Sequence, residues 1–161
     1  MAKQSKFLRE GEISDQMEGK GFTATIELEK SSQDVFMPLL NDIPKWWTKD
    51  FEGQSTKLND EFIIEHPGAH YSKQRLIEVV PNKKLVWLVT ESHLNWLEKN
   101  KSEWTNTKMV FEVVTKGGKT VLKFTHEGLV PKLACYARCS QGWDMVIKEW
   151  LYNFITNGEG I

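Results

Sequence analysis

The sequence predicts an α+β fold in which an antiparallel sheet of about six or seven strands wraps around a long C-terminal helix. Three observations predict it. Large apolar residues recur at helical spacing from Tyr136 to Phe154. A short helical stripe surrounds residue 35, and most segments between these two regions alternate as strands do. An aromatic-rich helix that closes such a sheet suggests space between the two layers.

The first elements are a strand followed by two short helices. Residues 22–28 alternate apolar and polar side chains, which is typical of a half-buried strand. Ser31 or Ser32 then caps a helix with an apolar stripe. Because Pro38 and Pro44 interrupt that stripe, we expect two short helices with a break near residues 41–42.

The middle of the chain carries successive strand signals. Lys116-Gly117-Gly118-Lys119 indicates a tight hairpin between the last two strands. Residues 92–105 interrupt the pattern and are either a short amphipathic helix or a long loop. The predicted strands span residues 51–56, 61–66, 71–80, 85–90, 108–114 and 120–127.

Composition indicates one domain, with no net charge that favours nucleic acid and no membrane span. The 161 residues carry a net charge of -1 and are 40% hydrophobic, and no apolar run approaches the ~18 residues of a membrane span. Residues 1–20 form a polar leader without an apolar signal core, so we expect residues 21–161 to be a single cytoplasmic domain. Cys135 and Cys139 are poorly placed to form a disulfide with each other.

Several segments share their order and apolar spacing with one known group of proteins. These segments are Ile26-Glu-Leu28, Ser32–Leu40, Trp46-Trp47, Arg75–Pro81, Leu85-Val-Trp87, Leu122–Gly128, Trp143 and Tyr152–Ile155. With them the chain resembles the START-like SRPBCC superfamily, and within it the AHSA-type branch related to the C-terminal domain of a heat-shock chaperone ATPase activator. The resemblance covers roughly residues 22–157 and implies a helix-grip fold, in a superfamily that includes carriers, cyclases, hydroxylase subunits and co-chaperone domains.

We predict that the space between sheet and helix binds a small hydrophobic or aromatic molecule. Seven tryptophans exceed ordinary usage, and indoles serve both cores and ligand walls. Strand alternation places His126 beside Leu122 and Phe124, as a hydrogen-bonded core histidine, a polar ligand contact or an acid–base group. The predicted lining residues are Trp46, Trp47, Tyr71, Trp87, Phe111, Phe124, His126, Trp143 and Ile147.

No residue pattern predicts a catalytic group, a cofactor or a metal. His66 and His70 flank Pro67-Gly68, which is typical of a tight turn and offers no helical face on which both rings could converge. No nucleophilic triad order, phosphate-binding glycine loop or dinucleotide fingerprint occurs.

Two alternative functions remain. The resemblance implies a co-chaperone-like interaction module with a chaperone as partner, for which Trp46, Trp47, Trp96 and Trp104 could form an exposed patch. A cyclase or aromatase-type enzyme would need a polar group in a dry pocket, and His126 is the candidate.

The tryptophans of the C-terminal helix are expected to differ in role. If Trp150 is fully buried, its replacement by alanine should cost about 3–5 kcal/mol. Trp143 is expected near the mouth of the cavity, with a smaller effect on stability.

Overall fold

Seven strands form one antiparallel sheet in the computed structural model, which describes residues 20–161. The order across the sheet is β1-β7-β6-β5-β4-β3-β2, so the first strand pairs with the last. This confirms the predicted α+β helix-grip architecture, whereas the predicted leader lies outside the described residues except for Lys20. The strands are β1 Gly21–Leu28, β2 Phe51–Gly53, β3 Glu61–His66, β4 His70–Val80, β5 Lys84–Leu94, β6 Lys108–Lys116 and β7 Lys119–Glu127.

Two short helices follow β1, as predicted. Helix α1 (Ser32–Asn41) is capped by Ser31, whose hydroxyl accepts a hydrogen bond from the Asp34 backbone N–H at 3.0 Å. Helix α2 (Ile43–Trp46) starts after one intervening residue, and Pro44 lies in its first turn, where a missing N–H costs little. Helix α1 packs against β6 and β7.

The C-terminal helix is continuous but changes its winding. It runs as α3 (Tyr136–Met145), a π-helical segment (Val146–Leu151) and α4 (Tyr152–Asn157), which together we call the final helix. It ends at Gly158, whose φ of 72° is the left-handed conformation typical of a helix end. No helix within residues 20–161 has the length and apolar character needed to cross a membrane.

Residues 95–106, between β5 and β6, form successive turns and a loop, not an amphipathic helix. Strand β5 is longer than predicted and reaches Leu94. The loop folds back on the sheet, because the Asn106 backbone N–H donates to the Val89 carbonyl at 2.7 Å. It therefore brings Leu97 and Trp104 into the core.

The inner face of the sheet and the final helix enclose a filled core. Leu85, Trp87 and Val89 of β5 face inward, because all three are fully buried. Trp46 and Trp47 are both buried, with stacked rings whose centroids lie 6.3 Å apart, so neither contributes to an exposed indole patch. The backbone turn at the end of α2 lets both indoles enter the core.

Candidate ligand pocket

A cavity of about 360 Å³ lies at one end of the sheet, beside α3. The β3–β4 turn, the end of β5, the 95–106 loop and residues 138–150 of the final helix surround it. We call it the end pocket. Its lining is Trp47, His66, Ala69, His70, Leu94, Trp96, Trp104, Arg138, Cys139, Gly142, Trp143, Met145, Val146 and Trp150.

Indole rings make most of the pocket wall. Five of the seven tryptophans line it. Trp143 and Trp104 stack with ring centroids 5.9 Å apart, and Trp143 packs against Trp47 at 5.1 Å. Such contacts hold large flat side chains in fixed positions, so the wall is rigid and apolar.

Gly142 opens the helix side of the pocket. It lies in α3, where an added Cβ would meet no heavy atom within 4 Å. A larger residue here would extend into the cavity. The glycine therefore sets the pocket's volume at a position where alanine would be the better helix former.

His126 lies behind the pocket wall, and both of its ring nitrogens form hydrogen bonds. The Trp143 indole N–H donates to its Nδ1 at 3.0 Å, so Nε2 carries the proton and donates to the Thr107 hydroxyl at 2.8 Å. That hydroxyl donates in turn to the Trp104 carbonyl. Complete burial, assisted by the nearby His70, lowers the pKa of His126 to about 3. The ring is therefore neutral and has no free nitrogen for proton transfer.

His70 brings a second neutral imidazole to the pocket. Its Nε2 bonds the Ser72 hydroxyl at 2.9 Å, and Gln74 donates to the same hydroxyl at 2.5 Å. Burial, together with His66, lowers the pKa of His70 to about 3. Burial also lowers the pKa of His66, although the Asp50 carboxylate opposes this shift. Within residues 20–161, no group of three or more His, Cys, Asp or Glu side chains is arranged to hold a metal ion.

Cys135 immediately precedes the final helix, Cys139 lies in its first turn, and the two thiols are not linked. The thiol of Cys135 donates to Cys139, which raises the pKa of Cys135 and lowers that of Cys139. Cys139 lines the end pocket. The indole N–H of Trp104 points toward its sulfur without regular hydrogen-bond geometry, and it favours the thiolate form.

The structure separates the predicted lining residues into three groups. Trp47 and Trp143 line the end pocket. Tyr71 lies on the outer face of the sheet, where its hydroxyl donates to Glu91 at 3.0 Å. The others are fully buried: Trp46, Trp87, Phe111, Phe124, His126 and Ile147.

Aromatic side chains fill the space that the sequence pattern suggested as a cavity. The ring centroids of Phe124 and Trp143 lie 4.4 Å apart in this space, and those of the stacked Trp47 and Trp87 lie 5.9 Å apart. The free volume lies instead near Gly142, at residues that strand alternation does not identify. Clues in the sequence were the glycine within an apolar helical stripe and the tryptophans of the 92–105 segment.

Solved structures with the same fold differ widely in sequence from this chain. The solution structure of the Aha1 dimer from Colwellia psychrerythraea has a TM-score of 0.70 and 22% identity, covering 86% of this chain and 98% of that one. Protein MLL2253 from Mesorhizobium loti has a TM-score of 0.62 and 15% identity, covering 81% and 94%. CalU16 from Micromonospora echinospora has a TM-score of 0.57 and 14% identity, covering 84% and 76%.

Sequence comparison identifies the family more directly than these distant structural likenesses. No curated protein sequence matches the chain significantly. Residues 40–154, which include α2, the β2–β7 strands and most of the final helix, match the family described as Activator of Hsp90 ATPase homolog 1-like protein. Domains of this kind generally bind either a ligand or another protein. The chain belongs to this AHSA-type family, with its START-like fold.

Proposed function

We propose that the protein binds a small hydrophobic or aromatic molecule in the end pocket. The main support is the combination of a cavity of about 360 Å³ with walls made from five indoles. Small-molecule pockets usually span roughly 300–1,000 Å³ and are mainly apolar, with a few polar groups. The end pocket has the size for a ligand of one to three fused or linked rings.

Burial of apolar surface is the proposed source of affinity. Removing about 200 Å² of ligand surface from water contributes about 5 kcal/mol before the costs of association. The stacked Trp104 and Trp143 need little reordering, which reduces those costs. We expect micromolar to millimolar affinity for a simple aromatic probe.

The hydrogen bonds of His126 favour binding over catalysis in this pocket. Both ring nitrogens are paired with Trp143 and Thr107, and its pKa near 3 keeps the ring neutral. A general acid or base needs an available proton position near the reacting atom. His126 therefore supports a carrier role in which the ligand leaves chemically unchanged.

A neutral naphthamide tests the proposal. Isothermal titration should show that the wild-type protein binds it with one site. Gly142→Leu should weaken binding at least tenfold, because the added side chain enters the cavity. Gly142→Ala is the matched control: it adds one methyl and should retain most of the affinity. Absence of binding to the wild type, or equal affinity for the leucine variant, would contradict the end pocket as the binding site.

The family match favours one second candidate, a co-chaperone-like interaction module. The indole patch suggested for this role is reduced, because Trp46, Trp47 and Trp104 are buried. Only Trp96 of that set is partly exposed. Stimulation of a purified chaperone ATPase by saturating protein would support this role, and an unchanged rate would remove it.

A further inference from the structure

We infer that the ligand of the end pocket is an aromatic acid, whose ring system packs among the indoles while its carboxylate pairs with Arg138 at the rim. This inference rests on the proposed function and names the ligand class for the same site. It is carried by the position of Arg138 and by the absence of any acidic side chain from the pocket lining of residues 20–161.

Arg138 is held at the pocket rim by Trp96. Its Cζ atom lies 4.6 Å from the centre of the Trp96 ring, and both side chains line the pocket. The guanidinium is exposed, and within residues 20–161 no carboxylate forms an ion pair with it. Its planar N–H donors match the two oxygens of a carboxylate.

Within residues 20–161, Arg138 is the only cationic side chain in the pocket lining. His66 and His70 are neutral near pH 7, since burial lowers both pKa values. Glu103, near the start of the final helix, accepts hydrogen bonds from the backbone N–H groups of Ala134 and Cys135 at 3.2 and 3.0 Å. Its carboxylate does not line the pocket.

This charge arrangement selects among aromatic ligands. An aromatic cation would meet the positive charge of Arg138 at the rim, whereas a neutral aromatic compound would use the walls alone. An aromatic carboxylate uses both features. A charge-assisted hydrogen bond to Arg138 should strengthen its binding about tenfold relative to the neutral amide of the same ring system.

Paired probes and paired variants test the inference. Titrations would compare a naphthoate with the naphthamide of the same shape, against the wild-type protein, Arg138→Gln and Lys148→Gln. Lys148 is exposed on the same final helix and does not line the pocket, so its replacement removes an equal charge elsewhere. Arg138→Lys adds a variant that retains the charge without the planar donor pair.

The expected result is a preference of about tenfold for naphthoate in the wild type and in Lys148→Gln, and near-equal affinities for naphthoate and naphthamide in Arg138→Gln. An intermediate preference should appear in Arg138→Lys. Equal affinities in the wild type, or a preference that survives Arg138→Gln, would overturn the aromatic-acid inference and leave the proposed function intact. Failure of both probes to bind the wild type would overturn the proposed function itself.

Discussion

Trp143 is the residue that joins the pocket to the core. It is 2% exposed, donates to His126 and packs against Phe124, yet one part of its ring lines the pocket. Trp150, seven residues later in the final helix, is only partly buried. Trp143 is therefore the more deeply buried of the two, contrary to expectation, whereas Trp150 lies within the π-helical segment Val146–Leu151.

The two tryptophans should differ in their effect on stability. Trp143→Ala leaves a large void and an unpaired Nδ1 on His126, so it should lower the free energy of unfolding by about 3–5 kcal/mol. Trp150→Ala should cost about 1–2 kcal/mol, because its ring is already partly in solvent. Chemical-denaturation midpoints of both variants measure this. A larger loss for Trp150→Ala would refute the packing described for the final helix.

Stability should fall in mild acid because of the buried histidines. The pKa values of His70 and His126 are about 3, below the ordinary 6.5, so the unfolded chain binds more protons between these values. Their contribution is thus complete above pH 6.5 and is lost as the pH falls toward 3. Each should remove about 2 kcal/mol of the free energy of unfolding between pH 7 and pH 5.

His126→Gln isolates this effect. Denaturation curves at pH 7 and pH 5 should show that the variant loses about 2 kcal/mol less than the wild type over this interval. The comparison within each protein cancels the stability lost through the substitution itself. An identical pH dependence in the two proteins would show that His126 titrates normally in the folded state.

At the level of elements, glycines at two positions have opposite roles. Gly142 lies within α3 with open space around it, so the helix forgoes the better propensity of alanine there. Gly128, after β7, has a φ of 100°, and an added Cβ would lie 2.7 Å from Cγ2 of Thr107. That contact would disturb the residue that anchors His126. One glycine keeps the pocket open, and the other allows close packing.

Alanine at these two positions should therefore change stability in opposite directions. Gly142→Ala should raise the free energy of unfolding by about 0.5–1 kcal/mol through helix propensity. Gly128→Ala should lower it by at least 1 kcal/mol, because of backbone strain and the clash with Thr107. Thermal melts of the two variants against the wild type give the signs directly. A destabilised Gly142→Ala would mean that this glycine is needed for close packing.

The elements themselves were largely predictable from the sequence. Alternation in residues 22–28 and 120–127 identified β1 and β7, and Pro38 with Pro44 indicated the broken helix pair. The π-helical segment was not predictable, because apolar spacing near 3.6 residues describes it as ordinary helix. The loop at 95–106 was ambiguous, since its burial depends on the return contact with Val89.

Across the whole molecule, one hydrophobic core includes residues from both short helices, the final helix and strands β1 and β3–β7. We propose on this basis that residues 21–161 unfold as one domain.

Alternation identified which strand residues face inward, but not whether their side chains meet. Whether Trp47, Trp87 and Trp143 enclose a void or fill it depends on packing between segments far apart in sequence, so the site of the remaining cavity could not be predicted.

The indole N–H groups offer the most direct test of the end pocket as the ligand site. In a two-dimensional proton–nitrogen NMR spectrum, each of the seven tryptophans contributes one indole N–H signal. Titration with naphthamide should shift the signals of Trp96, Trp104, Trp143 and Trp150, which line the pocket. The signal of Trp46 should stay in place, because its indole N–H donates to the Pro38 carbonyl within the core. Shifts at Trp46 without shifts at Trp96 and Trp104, or no shifts at saturating probe, would contradict the account.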